Sequence, residues 1–562
     1  MTTPTAVPSI TVAAPAFTSA ALVPPPLTAD AIGALSLTHL RTVIAIDSAS
    51  DERSDTIPST AGQVTLARHV GSFFAACGAT VELDDFANVI ATLPGRGCGV
   101  DQAGVAFMVH LDTARGTNAT DALTVVPAWD GDALSYVENP DLTVSVANYP
   151  SLASFVGHDV VHGPGDAPIG LDDKLGLTHL MSLASLLHRT PHIDHPPLLF
   201  IGRPDEEIGR MAAIEALART LAARGVEFGY TVDGILPYEV NVENFNAAAA
   251  QVVFSPRSVA LRGDVTLALH LGGVNTHGCT AKAEGHRPAT RLATELLTAL
   301  EVAAVVAQVV AFESDSLRDC DGVLTLLVTD EATVTHVARV AEQVVAPHRP
   351  RGASLIVEVL SGRDDPSEAP SIDAGLAGAT ADALGFIARF LASEGVHPIA
   401  AEASEGREGY SQPYRLLPGE GAAVVDLRLR DFDAAGLQAR QRHVQTVAAA
   451  CETAPTAVSF MGQYVNMAPR LADWVDLVTW PVEAASALGE RAEKLPIRGG
   501  TGVDPFLDAG VPVANLGTGY FAPESEKELT SVQFMAGHAT WLFGLVQRIA
   551  HARRQLAQRG VS

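Results

Sequence analysis

Two adjacent carboxylates, Glu206 and Glu207, follow the apolar run 196–201 and a break at Gly202 and Pro204. Neighbouring acids at a strand end can divide labour, one holding a metal ion and the other moving protons. Taken alone, they equally suit the positive end of the helix whose pattern begins at Ile208. A second apolar run, 105–109, ends in His110, Leu111 and Asp112. A spacing of two puts His110 and Asp112 on one side of an extended chain, where one can bind a metal and the other orient it. A third run, 228–232, ends in Asp233, and Asp172 with Asp173 opens a helical pattern reaching Leu187. Helix capping accounts for any one of these acids. Their recurrence makes His110, Asp172, Glu207 and Asp233 a plausible oxygen-and-imidazole cluster for divalent cations.

The elements that must position these residues are continuous apolar runs rather than alternating ones. That pattern marks strands covered on both faces, with chemistry gathered at their C-terminal ends. The chain has 562 residues, 47% of them hydrophobic, ample for large cores. Its net charge of −27 argues against nucleic-acid or anionic-membrane partners, which require basic patches. The apolar run 302–312 is broken by Gln308 and is too short to span a bilayer. Five scattered cysteines without a CxxC pair suit a reducing compartment, so a cytoplasmic location is expected. Residues 1–33, rich in Ala, Pro and Thr and without a basic start, read as a disordered tail rather than a signal peptide.

These residues sit in an ordered series of motifs: HLDT at His110, GLDDKLG at Gly170, PDEEIGR at Pro204, YTVDG at Tyr230, ENFNAA at Glu243, THGCTAK at Thr276, RDFD at Arg430 and RGGT at Arg498. The series resembles the peptidase T (aminotripeptidase) group of the co-catalytic dizinc peptidases, across roughly residues 36–250, 265–300 and 400–550. The resemblance implies a mainly parallel α/β catalytic domain, 34–245 and 437–562, interrupted by an α+β (βαββαβ-like) lid domain, 246–436. It implies two divalent metal ions, zinc by family habit. His110 and Asp233 would hold one ion, Glu207 the other, and Asp172 would bridge them. Glu206 would be the general base acting on the attacking water, with Asp112 orienting His110. His277 would reach in from the lid to stabilise the oxyanion. Arg430 would grip the substrate carboxylate, and Asn244 would contact the peptide or brace the hinge.

Three departures from the family pattern stand out. The last metal ligand should be a His followed four residues later by Glu; here Glu524 stands in that place, with Glu528 after it. A second site built from Asp172, Glu207 and Glu524 favours Mn²⁺ or Mg²⁺ over zinc, or is weakly filled. RGGT also continues as Gly502, Val503 and Asp504, with Asp504 a candidate stand-in for the acid expected there. The lid is also long by about half, and 322–360 reads as an additional strand–helix–strand unit. No direct repeat is visible within it. Homodimerisation through the lid is expected, with a monomer carrying an enlarged lid as the alternative. The reading is a metal-dependent exopeptidase for short peptides, most specifically a tripeptide aminopeptidase. Alternatives are a dipeptidase, a carboxypeptidase, an N-acyl-amino-acid deacylase, or a peptide-binding pseudoenzyme with a defective second metal site.

Overall fold

A computed structural model describes residues 22–274, 278–315, 318, 320–361, 372–394, 408–419 and 421–559. The apolar runs become the middle of an eight-stranded sheet. Its order is Thr80–Leu83, Val89–Leu93, Leu198–Arg203, Val105–His110, Phe228–Gly234, Val513–Gly517, Glu239–Asn241, Glu493–Lys494. The four central strands from Leu198–Arg203 to Val513–Gly517 are mutually parallel, so their C-terminal ends share one edge. Every residue of Val105–His110 and of Leu198–Arg203 is buried, as two covered faces require. Helices Ala29–Ile44, Leu171–Arg189 and Val532–Gln558 pack on one another. Phe200 stacks on Phe74 at 4.9 Å and belongs to the same core as Phe107, Tyr230 and Trp541.

The ordered chain begins earlier than composition implies. Thr28 caps the helix Ala29–Ile44, and Gln547 bonds both the N–H and the carbonyl of Val23. The tail boundary at 33 is therefore corrected: an Ala/Pro-rich stretch is ordered here by docking on the C-terminal helix, which local composition does not register. Residues 1–21 lie outside the described residues.

The lid is two copies of one topology. The outer unit runs Asn246–Phe254, helix Ala374–Glu394, Tyr410–Gly419, Ala422–Asp431, helix Ala434–Ala449, Ala457–Tyr464. Inserted after its first strand is a second unit: Val265–Gly272, helix Ala289–Val302, Ala307–Ser314, Gly322–Val328, helix Glu331–Val345, Ser354–Ser361. Each is βαββαβ, and each sheet is antiparallel with its strands in the order second, third, first, fourth. The second strands of the two sheets meet, with the Leu416 N–H donating to Ser314 Oγ at 3.0 Å. The first helices pack together, and each also packs on the other unit's second strand. One core joins both, including Phe254, Leu267, Leu296, Phe386 and Val425. Each unit thus presents its second strand and first helix to the same elements of the other.

The lid boundary drawn at 436 is corrected too. Ala457–Tyr464 pairs with Asn246–Phe254 and completes the outer sheet. It is a half-exposed edge strand, so it lacks the apolar run that marks the others. The helix Ala374–Glu394 is long and apolar enough to cross a membrane by length and composition. Here its Ala379, Phe386, Ile387 and Phe390 lie in the lid core.

Candidate metal centre and cleft

Three strand ends deliver the site. His110 ends its strand 2% exposed, with Nε2 2.8 Å from Asp172 Oδ1 and 3.5 Å from Asp233 Oδ1. Its Nδ1 lies 2.9 Å from the Asp112 carbonyl oxygen and 3.4 Å from Asp112 Oδ1. The Asp112 carboxylate also accepts the backbone N–H groups of Glu206 and Glu207, at 2.9 and 3.0 Å. One buried acid thus orients the imidazole and fixes the turn that carries both glutamates. Asp205, at φ +53, secures that turn from the other side: Gln63 Nε2 donates to it at 2.7 Å and the Ser59 N–H at 2.8 Å. Arg203 reaches Glu206 Oε1 at 3.4 Å and the Thr501 carbonyl at 3.4 Å, joining the RGGT loop to the pair.

Asp172 and Asp173 enter at the kinked start of helix Leu171–Arg189, with non-helical backbone angles. Gly170 sits at φ +80, where a Cβ would strike the Thr113 side chain, so the tight approach needs glycine. Glu528 clamps this turn. Its Oε2 accepts the N–H groups of Ile169, Gly170 and Leu171 at 2.9, 2.8 and 3.2 Å, and its Oε1 accepts the Glu524 N–H at 3.0 Å. Tyr520 donates its hydroxyl to Asp172 Oδ2 at 3.0 Å.

The charges are held at a cost. Burial pushes the Glu207 carboxyl well up, and Asp172 and Glu524 add to it. Burial and Asp172 raise Asp233 to about 7. Burial disfavours a charged His110 ring, but Asp233, Asp112 and Asp172 outweigh it and raise its pKa well above the usual imidazole value. Among the described residues, His110–Asp172–Glu207 and His110–Asp173–Asp233 each bring their ligand atoms within 4.8 Å of one another. Glu207 Oε1 is buried without a hydrogen-bond partner. An orphaned carboxylate oxygen among like charges is what a cation satisfies, so these residues fit a divalent-cation centre.

Glu524 has φ +55 and lines the same cleft as Glu207, yet it belongs to neither of the two tight groups. His277 lies outside the described residues; Gly278 beside it lines the cleft against Gln412 and Arg428. Arg430 is buried, with Nη1 donating to the Ala248 and Leu429 carbonyls at 3.3 and 3.0 Å and its guanidinium 5.3 Å from the Tyr464 ring. Asn244 is 2% exposed, its Oδ1 accepting the Met467 N–H at 2.7 Å. Asp504 turns to Arg470 and to the Val465 N–H instead of to the glutamates.

Sequence reasoning missed the cleft's lid side. Arg428 lies 3.8 Å over the Tyr414 ring and opposite Gln412 on the neighbouring strand. Its spacing of two from Arg430 places both on one face, a signal legible once the strand is recognised. Glu52 joins the domains, 2.7 Å from Arg115 and 3.4 Å from Arg415 of the lid.

No family model matches the chain. Peptidase T of Bacillus cereus is 33% identical over 255 residues, 44% of this chain and 56% of that protein. Peptidase T of Bacillus thuringiensis matches over the same shares. The chain thus spans little more than half the length of these curated relatives. Among solved structures, the dipeptidase Dug1p of Saccharomyces cerevisiae has a TM-score of 0.51 at 11% identity, covering 93% of this chain and 97% of that one, so the fold is shared. The aminopeptidase PepT of Bacillus cereus aligns over 92% of this chain and 99% of that one, with a TM-score of 0.46 and 14% identity.

Proposed function

We propose that the chain, 33% identical to peptidase T over 255 residues, is a divalent-metal-dependent exopeptidase acting on short peptides. The observation that carries the reading is Asp112, whose one carboxylate serves both the ligand His110 and the Glu206–Glu207 turn. A pure binding module has no use for a general base anchored to a metal cluster. His110, Asp233 and Asp172 would hold one ion, and Asp172, Glu207 and Glu524 the other. Such ions polarise a scissile carbonyl and lower the pKa of water. Glu206, oriented by its backbone bond to Asp112 and by Arg203, takes the proton of the attacking water and passes it to the leaving amine. His277 and Arg430 keep their proposed roles at the oxyanion and the substrate carboxylate.

The cleft supports a short zwitterionic peptide as substrate. Its walls carry acids, Glu52 and Glu524, and bases, Arg115 and Arg428, within a space closed by the lid. A free-amino tripeptide is the specific substrate proposed. Hydrolysis of that peptide, and not of its N-acetyl form, is the expected result; cleavage of the blocked peptide alone would make the protein a deacylase.

The doubled lid supports a monomer, since the inserted unit covers the second strand and first helix that a partner's lid would otherwise meet. Sedimentation at micromolar concentration should then give a single species of 58.6 kDa. The pseudoenzyme reading draws only on Glu524. An inert wild type that gains activity with zinc after Glu524→His would establish it.

A further inference from the structure

We propose that Lys527 is a positioning residue, through which the inserted lid unit holds the loop bearing Glu524 in its place at the second cation site. The inference rests on the reading that Glu524 belongs to that site. The loop from Ala522 to Glu528 presents its side chains in two directions. Glu524 lines the cleft, and Glu528 clamps the turn before Asp172. Glu526 and Lys527 are held by the inserted unit instead. Lys527 is fully buried, its Nζ 3.1 Å from Glu284 Oε2, 2.9 Å from His286 Nε2 and 4.9 Å from the centre of the Tyr149 ring. Glu526 Oε1 accepts from Arg318 at 2.7 Å.

The loop does not hold this shape by itself. Ala522 and Glu524 both sit in the left-handed region, at φ +57 and +55, which side-chain-bearing residues persist in only when their surroundings impose it. Lys527 and Arg318 supply that imposition from the lid side, and Glu528, which accepts the Glu524 N–H, from the other. Lifting the inserted unit away would strand Lys527 and Glu284 as separated charges, one of them buried. The loop and the inserted unit therefore move together, and seating the lid and presenting Glu524 become one event. His110, Asp112 and Asp233, by contrast, are fixed by the central sheet.

The test is Mn²⁺ titration of the full chain, with free Mn²⁺ read by electron paramagnetic resonance. Wild type should bind in two classes. Glu524→Ala should weaken the second class alone. Lys527→Met with Glu284→Gln, which leaves no unpaired buried charge, should do the same by about tenfold or more, the usual effect of removing a ligand's supporting partner. Lys527→Arg should restore it. Arg318→Met, at a partly exposed pair, should give a smaller loss of the same class and keeps the test open if the double variant fails to fold. Unchanged second-class binding in the Lys527 and Arg318 variants, with Glu524→Ala weakened, overturns the proposal. So does an equal loss of both classes. If Glu524→Ala leaves both classes intact, the assignment of Glu524 fails first, and the proposal falls with it.

Discussion

The two halves of the acid cluster are built from different materials. The His110 half stands on two strand ends and a helix start: His110 and Asp233 end strands, Asp172 opens helix Leu171–Arg189 and is held by Tyr520, and one imidazole sits among the carboxylates. The half proposed around Glu207 takes Asp172 and Glu524, carboxylates all, and Glu524 stands on a strained loop fastened to the lid. A half fixed by the core keeps its geometry whatever the lid does, and its imidazole suits zinc. A half made of oxygen ligands suits harder ions and depends on the lid for its shape.

Four measurements put this contrast at risk. The largest effect should come from Glu206→Gln, because Glu206 is the proposed proton carrier and a proposed ligand in neither half. We expect a loss in kcat of about 10²–10⁴-fold with both classes of cation binding retained, measured by steady-state kinetics beside metal titration. Asp112→Asn comes next, because its one carboxylate serves both His110 and the Glu206–Glu207 turn. An amide cannot accept on its nitrogen, so both classes should weaken by about 10–100-fold; weakening of only one would show that the halves are anchored separately. Glu524→His should act on one half only, tightening zinc there while leaving the His110 half unchanged, as read by zinc competition with a chelating dye.

The smallest effect is on stability. Asp233 is raised to about 7 by burial and Asp172, and Glu528 to about 8 by burial. Between the ordinary carboxylate values and these, the folded chain binds more protons than the unfolded one, so stability falls as pH rises through that window. Chelated protein should therefore lose melting temperature from about pH 5 to 8 relative to protein with Mn²⁺ present. Parallel curves would mean that the cation does not meet these acids.

Much of the site is legible in the sequence because its residues end buried strands. Runs such as VAFMV and LLFIG are uniformly apolar, and a His or Asp at their ends has few purely structural uses. The repeat in the lid is not legible. The two units share strand order and core patterning, which many sequences satisfy, and not residues. Lys527 gives no signal either. A lysine between two glutamates in a polar loop reads as solvated, and only the inserted unit closing over it makes it a buried charge.

Local residue types were enough to point to the buried strands of the sheet and to the His110–Asp172–Glu207–Asp233 set, because hydrophobic period and ligand chemistry are properties of short stretches of sequence; the place of Glu524 came from the family resemblance instead. Long-range packing settled the rest: the lid is a pair of like units, Asp112 anchors Glu206 and Glu207 together, and the Glu524 loop is fastened across the domain boundary. Each of those depends on which distant surfaces meet, and no local pattern encodes what will cover a side chain.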